Sequence, residues 1–268
     1  MPTLPHVRFP LAHLPTPLEH LERLSRRLGG PQIFIKRDDC TGLAFGGNKT
    51  RKLEFLIGDA VRIHADTVVT AGAMQSNHCR QTAAAAVRAG MDCHLVLGGG
   101  PPGTPEGNLF LDHLLGAHIH WSSVHRRGEE LDSVVAGLRR DGRNPYPIPY
   151  GGSNGVGALG YVQAMFELEG QVGGGGGMPD AIVFASSSGG THAGLLVGAR
   201  RVGFKGRIIG IGIDKEGRSE GSFAEIIAGL AAETLHLVDP EDESDDFRPA
   251  VALHEEFADP GYGVVSER

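Results

Sequence analysis

From Leu53 onward the apolar residues Leu56, Ile57, Ala60 and Val61 fall three, four, seven and eight positions along. That spacing is the stripe of a helix burying one face. The polar run Gly46-Gly47-Asn48-Lys49-Thr50-Arg51-Lys52 precedes it. The pattern therefore predicts a glycine turn feeding a helix start, with Asn48 as the N-cap. Residues 67–71 form a β-branched run ending at Gly72 and predict a strand. The alanine-rich segment 77–89 predicts a helix that Gly90 ends in a left-handed conformation. Strands at 94–97, 118–121 and 146–148 then alternate with helices at 106–115 and 129–140. Helices at 156–169 and 191–202 and strands at 181–185 and 207–213 continue the rhythm. Alternation of this kind predicts the α/β class, with parallel sheets wrapped by helices.

Two stretches interrupt the pattern. Five consecutive glycines, 173–177, read as a flexible surface loop, and the acidic run 239–246 as a solvated one. The remaining composition is that of an ordinary water-soluble chain: 268 residues, 40% hydrophobic, 21% charged, enough for one large domain or two smaller ones. A net charge of -7 without a basic stripe argues against nucleic acid as a partner. No stretch of eighteen apolar residues predicts a membrane span, and the start lacks the pattern of a secretion signal, so the expected location is the cytoplasm. Cys40, Cys79 and Cys93 are odd in number and lack metal-ligand spacing, which predicts reduced thiols. No metal is expected despite thirteen histidines, and His118 and His120 read as surface residues alternating on one strand face.

Candidate chemistry concentrates at three turns. Lys49 stands where the glycine turn becomes a helix, at the positive end of the helix dipole, which disfavours its ammonium form. An amine held this way can form a Schiff base. The alternative is a first helical turn of three solvated cations, Lys49, Arg51 and Lys52, partly paired with Glu54. The run Ser186-Ser187-Ser188-Gly189-Gly190-Thr191-His192 links a strand to a helix, where glycine N–H groups, hydroxyls and the helix end suit a phosphate. It matches neither the Walker pattern nor GxGxxG, which leaves a nucleotide-dependent oxidoreductase a remote reading. A plain tight turn is the other explanation. Gln75-Ser76-Asn77-His78 also lies between a strand and a helix, at the carboxyl end of a parallel strand where such sheets bind ligands. Ser76 could receive a substrate carboxylate and Asn77 could donate to a cofactor oxygen; a simple N-cap explains either residue as well.

Four motifs, in order, carry a resemblance: GGNKTRKLE (46–54), QSNHCRQTAAAA (75–86), GALGY (157–161) and SGGTHAGL (188–195). Together they resemble the D-cysteine desulfhydrase and 1-aminocyclopropane-1-carboxylate deaminase family over residues 11–268. The resemblance implies pyridoxal 5′-phosphate as cofactor and fold type II, two open parallel-sheet domains with the cofactor in the cleft between. It places a small α/β domain at 51–152 within a larger one formed by 1–50 and 153–268. It implies that Lys49 is the Schiff-base lysine, that Asn77 partners the ring hydroxyl, and that Ser188, Gly189, Gly190 and Thr191 hold the phosphate. Gln75, Ser76, Asn77 and His78 are then neighbours of a small amino-acid substrate, with Ser76 and Tyr262 as catalytic hydroxyls. The implied reaction is β-elimination with deamination, D-cysteine giving pyruvate, sulfide and ammonia. L-cysteate sulfo-lyase and 1-aminocyclopropane-1-carboxylate deaminase are the alternatives, and the family implies a homodimer.

The chain ends at Arg268, before a late tyrosine motif and a Thr-Gly-Gly segment that the family usually carries. The expectation is a large domain incomplete at its C-terminal end, with lowered stability, exposed apolar surface and a free strand edge. A truncated, non-catalytic cofactor-binding protein is therefore kept as a reading of another class.

Overall fold

Residues 4–173, 177–213 and 222–257 are described by the computed structural model. The chain opens with β1 (Leu18–His20), α1 (Glu22–Leu28) and β2 (Phe34–Lys36), β1 and β2 pairing antiparallel. Next come α2 (Lys49–Arg62), β3 (Thr67–Ala73), α3 (Asn77–Ala89), β4 (Asp92–Gly98), α4 (Gly107–Leu114), β5 (His118–Trp121), α5 (Leu131–Arg140) and β6 (Pro145–Pro147). These strands form a parallel sheet in the order β5-β4-β3-β6. The expected strand–helix rhythm is met throughout this stretch. Gly90 closes α3 at φ 69°, a left-handed value open to glycine without cost. On one face of the sheet Val69, Ala71 and Val96 bury against Leu131 and Val135 of α5.

The second half contains α6 (Gly155–Val172), β7 (Ala181–Ser186), α7 (Gly190–Arg201), β8 (Arg207–Gly212), α8 (Phe223–Val238) and β9 (Ala252–His254). Its three strands are parallel in the order β7-β8-β9. Helices α6 and α7 approach so closely that a Cβ on Gly194 would lie 2.2 Å from the Ala158 carbonyl oxygen, and one on Gly198 2.7 Å from the Met165 side chain. The GALGY and THAGL motifs thus meet as one helix contact. Val183 on the edge strand β7 is 61% exposed and Ile213, just past β8, 39%.

Contacts divide the chain into Arg8–Ile148 and a unit of Met1–Val7 with Pro149–Arg268. This differs from the expected boundary at residue 50, because 8–50 is bound to α2 by charge pairs. Buried Glu54 takes Arg8 at 2.8 Å and the N–H groups of Leu11 and Ala12 at 2.9 and 3.0 Å. Buried Arg51 makes a two-pronged contact with Asp38 and reaches the Thr16 hydroxyl. Arg51 and Lys52 are therefore interior residues, not the solvated cations of the alternative reading, and Glu54 pairs with Arg8 instead of with them. The acidic run ending α8 is mostly exposed, as expected, with Asp239 and Asp242 paired to Arg201 and Arg200. Residues 174–176 of the glycine run lie outside the described residues.

His118 and His120 do more than decorate a strand. Both stack on His94 of β4, and His120 Nε2 lies 2.8 Å from His94 Nδ1. Among the described residues no cluster of His, Cys, Asp and Glu has the makings of a metal site, and no helix is long and apolar enough to cross a membrane.

Candidate active site

The turn before Lys49 is one that most side chains would not tolerate. Gly46 has φ 74°, and a Cβ on it would lie 1.9 Å from the Asp39 carbonyl oxygen. Ala44 and Phe45 also take positive φ, at 43° and 68°. Such conformations persist only where the surroundings hold them. The Thr41 hydroxyl does so by accepting the Gly47 N–H at 2.8 Å. Gln81 of α3 accepts from the Thr50 N–H and hydroxyl at 2.9 and 2.8 Å, tying the first turn of α2 to the neighbouring helix.

Asn48 does not cap α2 as expected. Its backbone is already helical (φ -62°, ψ -23°), so its side chain is not aimed back at the first-turn N–H groups. It accepts instead from Lys49 Nζ at 3.4 Å, the amine's one polar contact among the described residues. Among the described residues no carboxylate holds the ammonium, and burial lowers the Lys49 pKa from 10.5 to about 8. Burial is the cause of that shift. Neighbouring Lys52 is pushed well below its ordinary value by burial and by Lys49.

The α3 turn presents four polar residues to different partners. Ser76 is the N-cap and accepts the Cys79 N–H at 3.2 Å. A Cβ on Gly72 would meet its hydroxyl at 2.7 Å, so this turn packs directly on β3. Gln75 is occupied with α4, its Nε2 donating to the Glu106 carbonyl at 3.0 Å and its Oε1 accepting the Asn108 N–H at 2.8 Å. Asn77 is exposed. His78 is buried with Nε2 2.9 Å from the Thr70 hydroxyl. That hydroxyl spends its proton on the Ile148 carbonyl, so His78 must donate through Nε2. Burial and the nearby Lys49 and Lys52 keep the ring neutral. Its Nδ1 is then a bare, buried acceptor without a partner among the described residues.

In the other unit the turn from β7 to α7 carries Ser188, Gly189, Gly190 and Thr191. Gly189 is the N-cap of α7 at φ 86°, with a Leu230 methyl 3.1 Å from where a Cβ would sit. Ser153, which nothing in the sequence singled out, braces this turn. Its hydroxyl lies 2.8 Å from that of Ser188 and accepts the Gly190 N–H at 3.1 Å. Ser188 and Thr191 remain partly exposed. Tyr262 lies outside the described residues.

Behind the turn, His192 is fully buried with both ring nitrogens unpartnered among the described residues, edge-on to Phe184, and burial lowers its pKa from 6.5 to about 4. Between those values the unfolded chain binds the proton and the folded chain does not, so stability rises with pH across that window. The contribution is fully present above pH 6.5 and is lost on acidification toward pH 4, at most about 3 kcal/mol. Asp112, raised to about 7 by burial, works in the opposite direction. The check is therefore comparative: in denaturant titrations at several pH values, His192→Leu should lose less stability on acidification than the unaltered chain. Equal losses would show that His192 binds its proton alike in both states.

Taken each by itself, the first turn offers an amine that no carboxylate holds among the described residues, and the second a small-residue helix start rich in N–H and hydroxyl donors. The first suits a carbonyl group and the second a phosphate. Comparison with known proteins agrees. The family model described as pyridoxal-phosphate dependent enzyme matches residues 10–268. D-cysteine desulfhydrase of Klebsiella pneumoniae (strain 342) is 41% identical over 270 residues, covering 97% of this chain and 79% of the relative. That of Yersinia pestis (strain Pestoides F) is 39% identical over 267 residues, covering 97% and 78%. A solved structure described as an ACC deaminase homologue superimposes with TM-score 0.84 at 35% identity, covering 98% of this chain and 77% of that one. Matched by the family model over residues 10–268, by relatives at 39–41% identity over 97% of its length and by a closely superimposing solved structure, the chain belongs to the family of pyridoxal-phosphate dependent enzymes, in its fold type II.

Proposed function

We propose that this enzyme catalyses β-elimination with deamination of a small amino acid, D-cysteine before others, releasing pyruvate, sulfide and ammonia. The observation that carries the reading is Lys49: a half-buried amine with its pKa near 8 and, among the described residues, no acid to neutralise it. Bound pyridoxal phosphate supplies an electron sink for a negative charge at the substrate α-carbon. Lys49 holds its aldehyde, Ser188, Gly189, Gly190 and Thr191 hold its phosphate, and Asn77 donates to its ring oxygen. The Lys49 amine would take the substrate's α-proton at Nζ, a task for which a pKa near the working pH is suited. Ser76 keeps its hydroxyl proton for the substrate carboxylate, since its oxygen only accepts from Cys79. His78, neutral, offers Nδ1 as an acceptor. Tyr262 is the second catalytic hydroxyl, and Gln75 acts by holding the α4 start against the substrate loop. We further propose a cytoplasmic homodimer.

The likeness to desulfhydrases at 39–41% identity favours D-cysteine, while the ACC deaminase homologue keeps 1-aminocyclopropane-1-carboxylate as the second reading. Assaying D-cysteine, L-cysteate and 1-aminocyclopropane-1-carboxylate side by side, for sulfide, sulfite and 2-oxobutyrate, decides between them. Sulfide from D-cysteine, at a kcat/KM at least tenfold above the others, is the expected result. Binding of pyridoxal phosphate with no product from any of the three would leave a non-catalytic cofactor-binding protein.

A further inference from the structure

Asn77 is held by its oxygen. Its Oδ1 accepts from Arg80 Nη2 at 3.1 Å and from Asn108 Nδ2 at 2.9 Å, while its Nδ2 donates to no described residue. The amide cannot be turned around, because a guanidinium has only donors. The Asn108 amide nitrogen is fixed as well by donating to the Gln75 carbonyl at 2.8 Å. Both neighbours demand the Asn77 oxygen, so the outward-facing atom is the NH2 group.

Arg80 does this from the interior, 6% exposed, one turn into α3. The same guanidinium donates to the carbonyls of Ala44 and Gly46, the latter at 3.3 Å, in the positive-φ turn that delivers Lys49. One planar group therefore grips the approach to Lys49 and the orientation of Asn77. Burial lowers its pKa, and Asp112, which is fully buried and accepts no hydrogen bond from any described residue, acts against that shift.

We infer that Arg80, assisted by Asn108, is a positioning residue that locks Asn77 as a one-way donor toward an oxygen acceptor on the bound cofactor. The inference rests on the pyridoxal phosphate reading above, in which that acceptor is the ring oxygen. A donor there stabilises the oxygen's negative charge and so eases loss of the proton it shares with the lysine-linked nitrogen. Losing the donor raises the pH at which the visible absorbance of the lysine-bound cofactor titrates, by about one pH unit.

The test is a spectral pH titration of cofactor-loaded Asn77→Ala, Arg80→Gln and the double variant, with thermal midpoints measured alongside. Both single variants should shift the titration upward, and the double variant no further than Asn77→Ala alone, because Arg80 acts through Asn77. If Arg80→Gln lowers only the thermal midpoint, or if the two shifts add, the positioning role is overturned while the Asn77 contact stands. If Asn77→Ala itself shifts nothing, the underlying contact fails and this inference fails with it. Should Arg80→Gln not fold, Asn108→Ala removes the second donor from a partly exposed site; an upward, smaller shift supports the inference and an unmoved titration overturns it.

Discussion

Replacing Lys49 with alanine is expected to lower turnover by roughly three orders of magnitude or more and to abolish covalent attachment of pyridoxal phosphate. Borohydride reduction followed by peptide mapping gives the sharper readout. In the unaltered chain the reduced cofactor should be found on the peptide containing Lys49; in Lys49→Ala it should be found on none. The fold should not suffer, since Lys49 makes no ion pair among the described residues and its amine is there an uncompensated charge near Lys52 and His78. Removing it relieves a like-charge neighbour, so the apoprotein's thermal midpoint should stay or rise. Lys52→Ala is the control, expected to leave the label on Lys49. A label on Lys52, or turnover retained in Lys49→Ala, would remove Lys49 from the chemistry.

The sequence displayed this site unevenly, and the reasons are physical. Helix α3 was readable to the residue because an alanine-rich run bounded by Ser76 and Gly90 leaves little choice of start and stop. The Lys49 turn was readable because consecutive glycines announce backbone that other residues resist. What escaped was set by contacts distant in sequence. Ser153 is 37 residues from the Gly190 N–H it receives, and Asn108 is 31 from Asn77. Nothing local marks either one. Arg80 stood inside a quoted motif without a role, because its partners Ala44 and Gly46 are backbone carbonyls with no residue signature. The misread Asn48 shows the converse, a residue type that favours caps placed where the backbone is already helical. Short elements were missed for want of periodicity: β1, β2 and β9 are three residues each. Helix α8 follows a masking feature of another kind, being apolar on several sides with no single stripe to read, as buried Ile227 and Ala231 beside exposed Ile226 illustrate.

Substituting alanine for glycine should have opposite signs at two helical positions of the second unit. In a helix interior alanine is ordinarily favoured over glycine by about 0.5–1 kcal/mol, because it loses less backbone freedom on folding. Gly229 in α8 is exposed, and a Cβ there meets nothing within 4 Å, so Gly229→Ala should stabilise by about that amount. At Gly194 the same methyl would sit 2.2 Å from the Ala158 carbonyl oxygen and 2.6 Å from the Tyr161 Cβ. Both obstacles belong to α6, one of them backbone, so the helices must separate, and overpacking of this kind costs about 1–3 kcal/mol after the propensity gain is absorbed. Gly194 lies four residues after Gly190, on the helix whose first turn carries the proposed phosphate grip. A displaced α7 should therefore raise the Kd for pyridoxal phosphate as well as lower the denaturation midpoint, whereas Gly229→Ala should leave cofactor affinity unchanged. If both substitutions stabilise, the tight α6–α7 contact is not what the glycine at 194 is for. A Gly194→Ala chain that loses stability but keeps its affinity would separate helix packing from the phosphate site.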